Sequence, residues 1–114
     1  MDALEIVLLY DYYGDLLTDR QRECFEMRYY QDLSLGEIAE ELGISRQGVY
    51  DNLTRTEAQL RKMEAKTGCV SRDQACRRAA KTIQTAASSL CAYPDEAVRT
   101  LAERISGAMR ELEE

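Results

Sequence analysis

The segment "LSLGEIAEELGISRQGVYDNLTRTEAQLRKME", residues 33–64, decides how the rest of the chain is read. Ser34 followed by Glu37 is a capping box: the hydroxyl takes the N3 amide while the glutamate reaches back. A short helix over Leu35 to Leu42 follows, stopped by Gly43, and Ser45 caps a longer helix that runs to about Lys66. In a helix-turn-helix unit the first helix braces the second, and the turn needs a residue that tolerates positive φ, which Gly43 supplies. Ile38, Leu42 and Ile44 are placed to pack on Val49 and Leu53, and Ala39 leaves room for the helices to cross. The later apolar positions, Leu60 and Met63, outrun a turn-sized recognition helix.

Outward from this segment the pattern stays helical. Thr18 with Gln21 and Ser71 with Gln74 form two further capping boxes. A first helix over Asp2 to Tyr13 ends at Gly14, and a second covers Asp19 to Tyr30 with Phe25 and Tyr29 on one face. Beyond Gly68 the chain is alanine-rich. A fifth helix over Arg72 to Cys91 sets Cys76, Ala79, Ala80, Ile83, Ala87 and Leu90 on one side. Pro94 is placed as the first residue of a sixth, where Val98, Leu101, Ile105, Ala108 and Leu112 follow a three-four spacing. The expected fold is all-α: a helix-turn-helix bundle over 1–66 with a long fourth helix, then a C-terminal helical hairpin over 67–114 acting as a dimerisation element. Apolar surface that a 114-residue monomer covers with difficulty points to a homodimer contacting through Leu60, Met63 and the C-terminal helices.

Composition narrows the function. There is no histidine, no nucleophile beside a base and no glycine-rich phosphate loop, so an enzyme is not expected. The four cysteines include no CxxC pair, which argues against a metal site, and no cofactor is expected. Cys24, Cys76 and Cys91 lie among small apolar residues and read as buried reduced thiols, with Cys69 the exposed one. No basic leader precedes an apolar run, and no stretch approaches membrane-spanning length, so a cytoplasmic location away from membranes is expected. The tyrosines at 10, 12, 13, 29 and 30 read as core beside Phe25 rather than as a stacking platform.

The net charge is −6 and unevenly spread. Nucleic-acid-binding domains are usually basic, and here the locally basic segment is 45–66. At 100° per residue with Val49 inward, Gln47, Asp51, Thr54 and Ala58 point directly out, flanked by Tyr50 and Arg61 on one side and Arg55 and Lys62 on the other. Gln47 can pair with adenine, Tyr50 and Thr54 can reach base edges, and Arg46 and Arg55 can hold phosphates, with Lys62 a weaker candidate. Asp51 opposes this pose, because it points where the duplex would lie.

The pieces "YDYYGDLLT" (10–18), "YYQDLSLGEIAEELGISRQ" (29–47) and "VYDNLTRTE" (49–57) make the chain resemble the YlxM family of small helix-turn-helix proteins, itself similar to region four of bacterial sigma factors. The resemblance covers about half the chain and weakens after Lys66. It implies a cytoplasmic, all-helical, dimeric bacterial protein whose genes lie beside those of the signal recognition particle pathway, with a regulatory role. Two functions compete on these grounds. One is a DNA-binding regulator using Arg46, Gln47, Tyr50, Thr54 and Arg55. The other is an interaction protein of signal recognition particle components, meeting a basic protein partner or RNA.

Overall fold

The computed structural model of the chain describes residues 3–113. Six α-helices follow one another: α1 Ala3–Tyr13, α2 Asp19–Tyr29, α3 Leu35–Leu42, α4 Arg46–Thr67, α5 Cys69–Leu90 and α6 Glu96–Glu113. A 3-10 turn, Gly14–Leu16, follows α1. No strand occurs among the described residues, so the all-helical expectation holds. Asp2, where the first helix was expected to begin, lies outside them. The chain divides into two compact units, Met1–Val70 and Ser71–Glu114.

In the first unit α4 is the spine on which α1, α2 and α3 pack. Two clusters line it. Val49 and Leu53 join Cys24, Ile38 and Ala39, with Leu42 partly buried against them. Further along, Leu60 joins Ile6, Leu9, Tyr10, Tyr13, Leu17, Phe25 and Val70. Leu60 is 0% exposed, so the expectation that it meets a second copy is wrong: α1 covers the second half of α4. Met63 is likewise partly buried against this cluster. Ile44 also departs from expectation and stays at the surface beside Gly48.

The capping boxes at Thr18 and Ser34 form, each with both reciprocal hydrogen bonds. The third does not. α5 opens at Cys69, three residues early, because the Glu64 carboxylate accepts the Val70 amide at 3.0 Å and Thr67 Oγ1 accepts the Cys69 amide at 3.2 Å. Tyr13 holds that cap in place, donating its hydroxyl to Glu64 at 2.7 Å and touching Thr67 Oγ1. Free amides at a helix start take the nearest strong acceptor, and here it arrives from α4 rather than from Ser71.

Aromatic packing organises α1 and α2. Phe25 is stacked between Tyr10 and Tyr29, at centroid distances of 4.1 Å and 4.5 Å. Tyr10 and Tyr13 are buried and Tyr29 half-buried, but Tyr12 and Tyr30 are exposed, so not every tyrosine is core. Four hydroxyls find carboxylates on another helix: Tyr10 on Glu26, Tyr13 on Glu64, Tyr29 on Glu57 and Tyr30 on Asp11. A buried phenol needs such a partner. Four acids, Asp11, Glu26, Glu57 and Glu64, are engaged in this way.

In the second unit the sixth helix starts later than Pro94. Asp95 Oδ1 accepts the amides of Ala97 and Val98 at 2.8 Å and 3.3 Å, leaving the proline outside. Ala87, Ala102 and Met109 are buried, whereas Ile83, Leu90, Leu101, Ile105 and Leu112 are exposed. Cys76 and Cys91 are exposed too and Cys69 is half-buried, against expectation. A helix with one neighbour in its unit buries only a narrow face, so small apolar side chains beside that face remain in solvent. Cys24 alone is a buried thiol, and burial pushes its pKa up.

Candidate nucleic-acid interface

The α3–turn–α4 geometry follows from its local residues. Gly43 adopts φ 69°, and its amide returns to the Ala39 carbonyl. The Ile44 amide shares that acceptor at 3.1 Å. Ser45 Oγ then takes the Gly48 amide at 2.9 Å, so α4 starts cleanly two residues past the turn. With Val49 and Leu53 buried against Ile38, the opposite side of α4 is fixed outward.

All five candidate residues lie on that outer surface. Arg46, Gln47, Tyr50, Thr54 and Arg55 are exposed, Tyr50 at 54% despite its size. Asp51 and Ala58 are exposed beside them. Arg46, Arg55 and Lys62 form no ion pair among the described residues, whereas Arg61 lies 3.8 Å from Glu57. Gln47 is engaged: its amide Nε2 donates to Asp51 Oδ1 at 2.9 Å. Asp51 thus orients Gln47.

One residue escaped sequence reasoning. A Cβ on Gly36 would sit 2.8 Å from a terminal guanidinium nitrogen of Arg46, so the guanidinium lies directly against the first turn of α3, where a side chain on residue 36 would push it aside. The available signal was a glycine inside a helix, where it is a poor helix former.

The field around this face is mixed. Glu37, Glu40 and Glu41 of α3, with Leu33, line a shallow depression of about 340 Å³. The Ser34 amide and hydroxyl hold the Glu37 carboxyl below its usual range, so it stays charged. Between Ser34 and Glu57 there are five acids, Glu37, Glu40, Glu41, Asp51 and Glu57, against Arg46 and Arg55 alone. No group of three or more potential metal ligands is assembled among the described residues. Nor is any described helix long and apolar enough to cross a membrane.

A short helix, a left-handed glycine turn and a serine-capped helix with an exposed polar face define a helix-turn-helix protein. Residues 2–96 match the family described as "Putative helix-turn-helix protein, YlxM / p13 like", and the chain belongs to it. A UPF0122 protein of Thermoanaerobacter sp. (strain X514) is 62% identical over 73 residues, covering 64% of this chain and 62% of that protein. One from Caldanaerobacter subterraneus subsp. tengcongensis is 60% identical over a match of the same length and coverage. One from Lacticaseibacillus casei (strain BL23) is 44% identical over 99 residues, 86% of each chain. The matched part thus spans less than two thirds of the length of the first two relatives.

Proposed function

We propose that this chain is a DNA-binding regulatory protein that sets the N-terminal half of α4 into a major groove. The observation that carries the reading is the pair Arg46 and Arg55, exposed and without an ion pair, flanking outward-facing Gln47, Tyr50 and Thr54 on a helix rigidly started by Gly43 and Ser45. Arg46 and Arg55 hold phosphates. Gln47, Tyr50 and Thr54 reach base edges, Gln47 exchanging Asp51 for an adenine. The reading places the protein in the cytoplasm with its DNA, requires no cofactor and includes no enzymatic step. It takes the protein as a homodimer joined through the exposed Leu101, Ile105 and Leu112 of the hairpin, since Leu60 is used within its own unit.

The second reading is an interaction protein of signal recognition particle components. It is favoured by the three acids on α3 and by Asp51 on the outer face, which suit a basic protein surface. Binding to mixed-sequence DNA, measured against salt, separates the two. Arg55→Ala should weaken binding on every sequence and lower the salt slope by roughly one unit. Gln47→Ala should cost about 1–3 kcal/mol on a preferred site and little elsewhere. Asp51→Asn should strengthen nonspecific DNA binding. If Asp51→Asn instead abolishes a protein contact while DNA affinity stays unmeasurable, the regulator reading is wrong and the second stands.

A further inference from the structure

From Ser34 to Glu57 the helix-turn-helix carries more acids than bases, so Arg46 and Arg55 alone would offer DNA little electrostatic attraction. The largest excess of bases on any helix is on α5, where Arg72, Arg77, Arg78 and Lys81 face a single acid, Asp73. On α4 the excess is smaller and diluted by Asp51, Glu57 and Glu64; α3 has acids only, and α6 has more acids than bases. Arg77, Arg78 and Lys81 are not scattered around α5. With Gln74 and Thr85 they occupy positions i, i+3, i+4, i+7 and i+11, which is one helix face, and all five are exposed. Within the second unit the less exposed positions of α5 are Ala80, Gln84 and Ala87, and Ala80 and Ala87 lie on a different side; Val70, at the start of the helix, is buried in the first unit.

We propose that this face of α5, Gln74–Arg77–Arg78–Lys81–Thr85, is a second DNA contact that grips the phosphate backbone without reading sequence. The proposal rests on the regulator reading for the identity of its partner and adds a site to it. Asp73 pairs with Arg77 at 2.9 Å, and that pair is open to solvent, with the arginine side chain 81% exposed. Arg78 and Lys81 form no ion pair among the described residues. The hydroxyls of Thr82 and Thr85 turn back onto the carbonyls of Arg78 and Lys81, at 3.2 Å and 2.9 Å, and leave the cationic ends uncovered. The face runs for about 16 Å along the helix at 1.5 Å per residue, enough to meet more than one phosphate. The negative net charge of the chain does not cancel it, because at physiological salt a charge is screened beyond about 8 Å. Counterion release from the duplex then supplies affinity that is independent of base sequence.

The test is fluorescence anisotropy of the full chain with labelled mixed-sequence duplex DNA, between roughly 50 and 200 mM salt. The double variant Arg78→Glu/Lys81→Glu should lose about ten-fold or more in affinity on every duplex. Its salt slope should fall by about two units, at about 0.9 per phosphate contact. The neutral pair Arg78→Gln/Lys81→Gln should lose a similar slope without adding acids, and circular dichroism should show parental helicity for both. A double variant that binds like the parent overturns the proposal, as does a parent that binds structured RNA or an acidic protein but no duplex DNA. Arg46→Ala and Arg55→Ala in the same assay keep the two sites apart. If only they matter, the α5 contact is wrong and the α4 reading stands; if only the α5 variants matter, the reverse holds.

Discussion

The two units solve the same problem with different means. In the first, side chains tie different helices together: Phe25 sits between two tyrosine rings, and Gln21 donates to Gln59 across α2 and α4 at 2.8 Å. Four tyrosine hydroxyls reach acids on a neighbouring helix. In the second, the hydroxyls of Thr82, Thr85, Ser89 and Thr100 bond the carbonyl four residues back on their own helix. Those bonds stay within one helix and do not say where its neighbour belongs. The first unit therefore has a specified core, and the second has two good helices with apolar side chains left over. A firmly specified platform for α4 and a second unit with apolar side chains in solvent are what that difference provides.

Substitution at the two kinds of apolar site should break or uphold this contrast most plainly. Phe25→Ala removes a side chain with 0% exposure and should destabilise by about 3–5 kcal/mol. Tyr93→Ala, at 57% exposure in the second unit, should change stability by no more than about 0.5 kcal/mol. Urea unfolding of both variants measures it, and equal losses would mean that the hairpin is as tightly built as the platform.

Alkaline pH should act on the first unit through its tyrosines. Burial first, then the bonds to the carboxylates of Glu26 and Glu57, push the Tyr10 and Tyr29 hydroxyls up to about 12. An unfolded tyrosine titrates near about 10. Between those values the folded chain keeps protons that the unfolded chain releases, so stability is complete below about pH 10 and is lost as pH climbs through 12. Unfolding midpoints followed from about pH 9 upward should fall in parent protein and fall less in Tyr29→Phe. A midpoint independent of pH in this window would remove the tyrosine–carboxylate pairs from the account.

The smallest effect is expected at Thr56, which is fully buried on α4 with a hydroxyl that has no partner among the described residues. Thr56→Val keeps the shape and removes the unsatisfied oxygen, so stability should hold or rise by about 1 kcal/mol. A clear loss in thermal unfolding would show that the hydroxyl is satisfied in solution.

Much of the helix-turn-helix was legible because its rules are local. Thr18, Ser34, Ser45 and Gly43 act on amides and torsions within four residues, and each behaves in the structure as its neighbours predict. The outward set on α4 was legible for a related reason: once Val49 is inward, helical periodicity places Gln47, Tyr50, Thr54 and Arg55. The Gln47–Asp51 bond is present in the i, i+4 spacing, although Gln47 reads there as a base contact and Asp51 as a charge opposing it. The α5 cation face does not show in the charge of residues 67–114 taken together, where seven bases meet seven acids.

What the sequence determined by itself, then, is where most helices begin and turn and which side of α4 is polar, because those depend on residues a few positions apart. Tertiary structure decided that α5 starts at Cys69, since its cap is a glutamate on α4 steadied by Tyr13 from α1. It decided that Leu60 is core, since α1 lies over it, and that Arg46 rests on Gly36. Each of these depends on groups brought together from distant parts of the chain, and no pattern of nearest neighbours contains that distance.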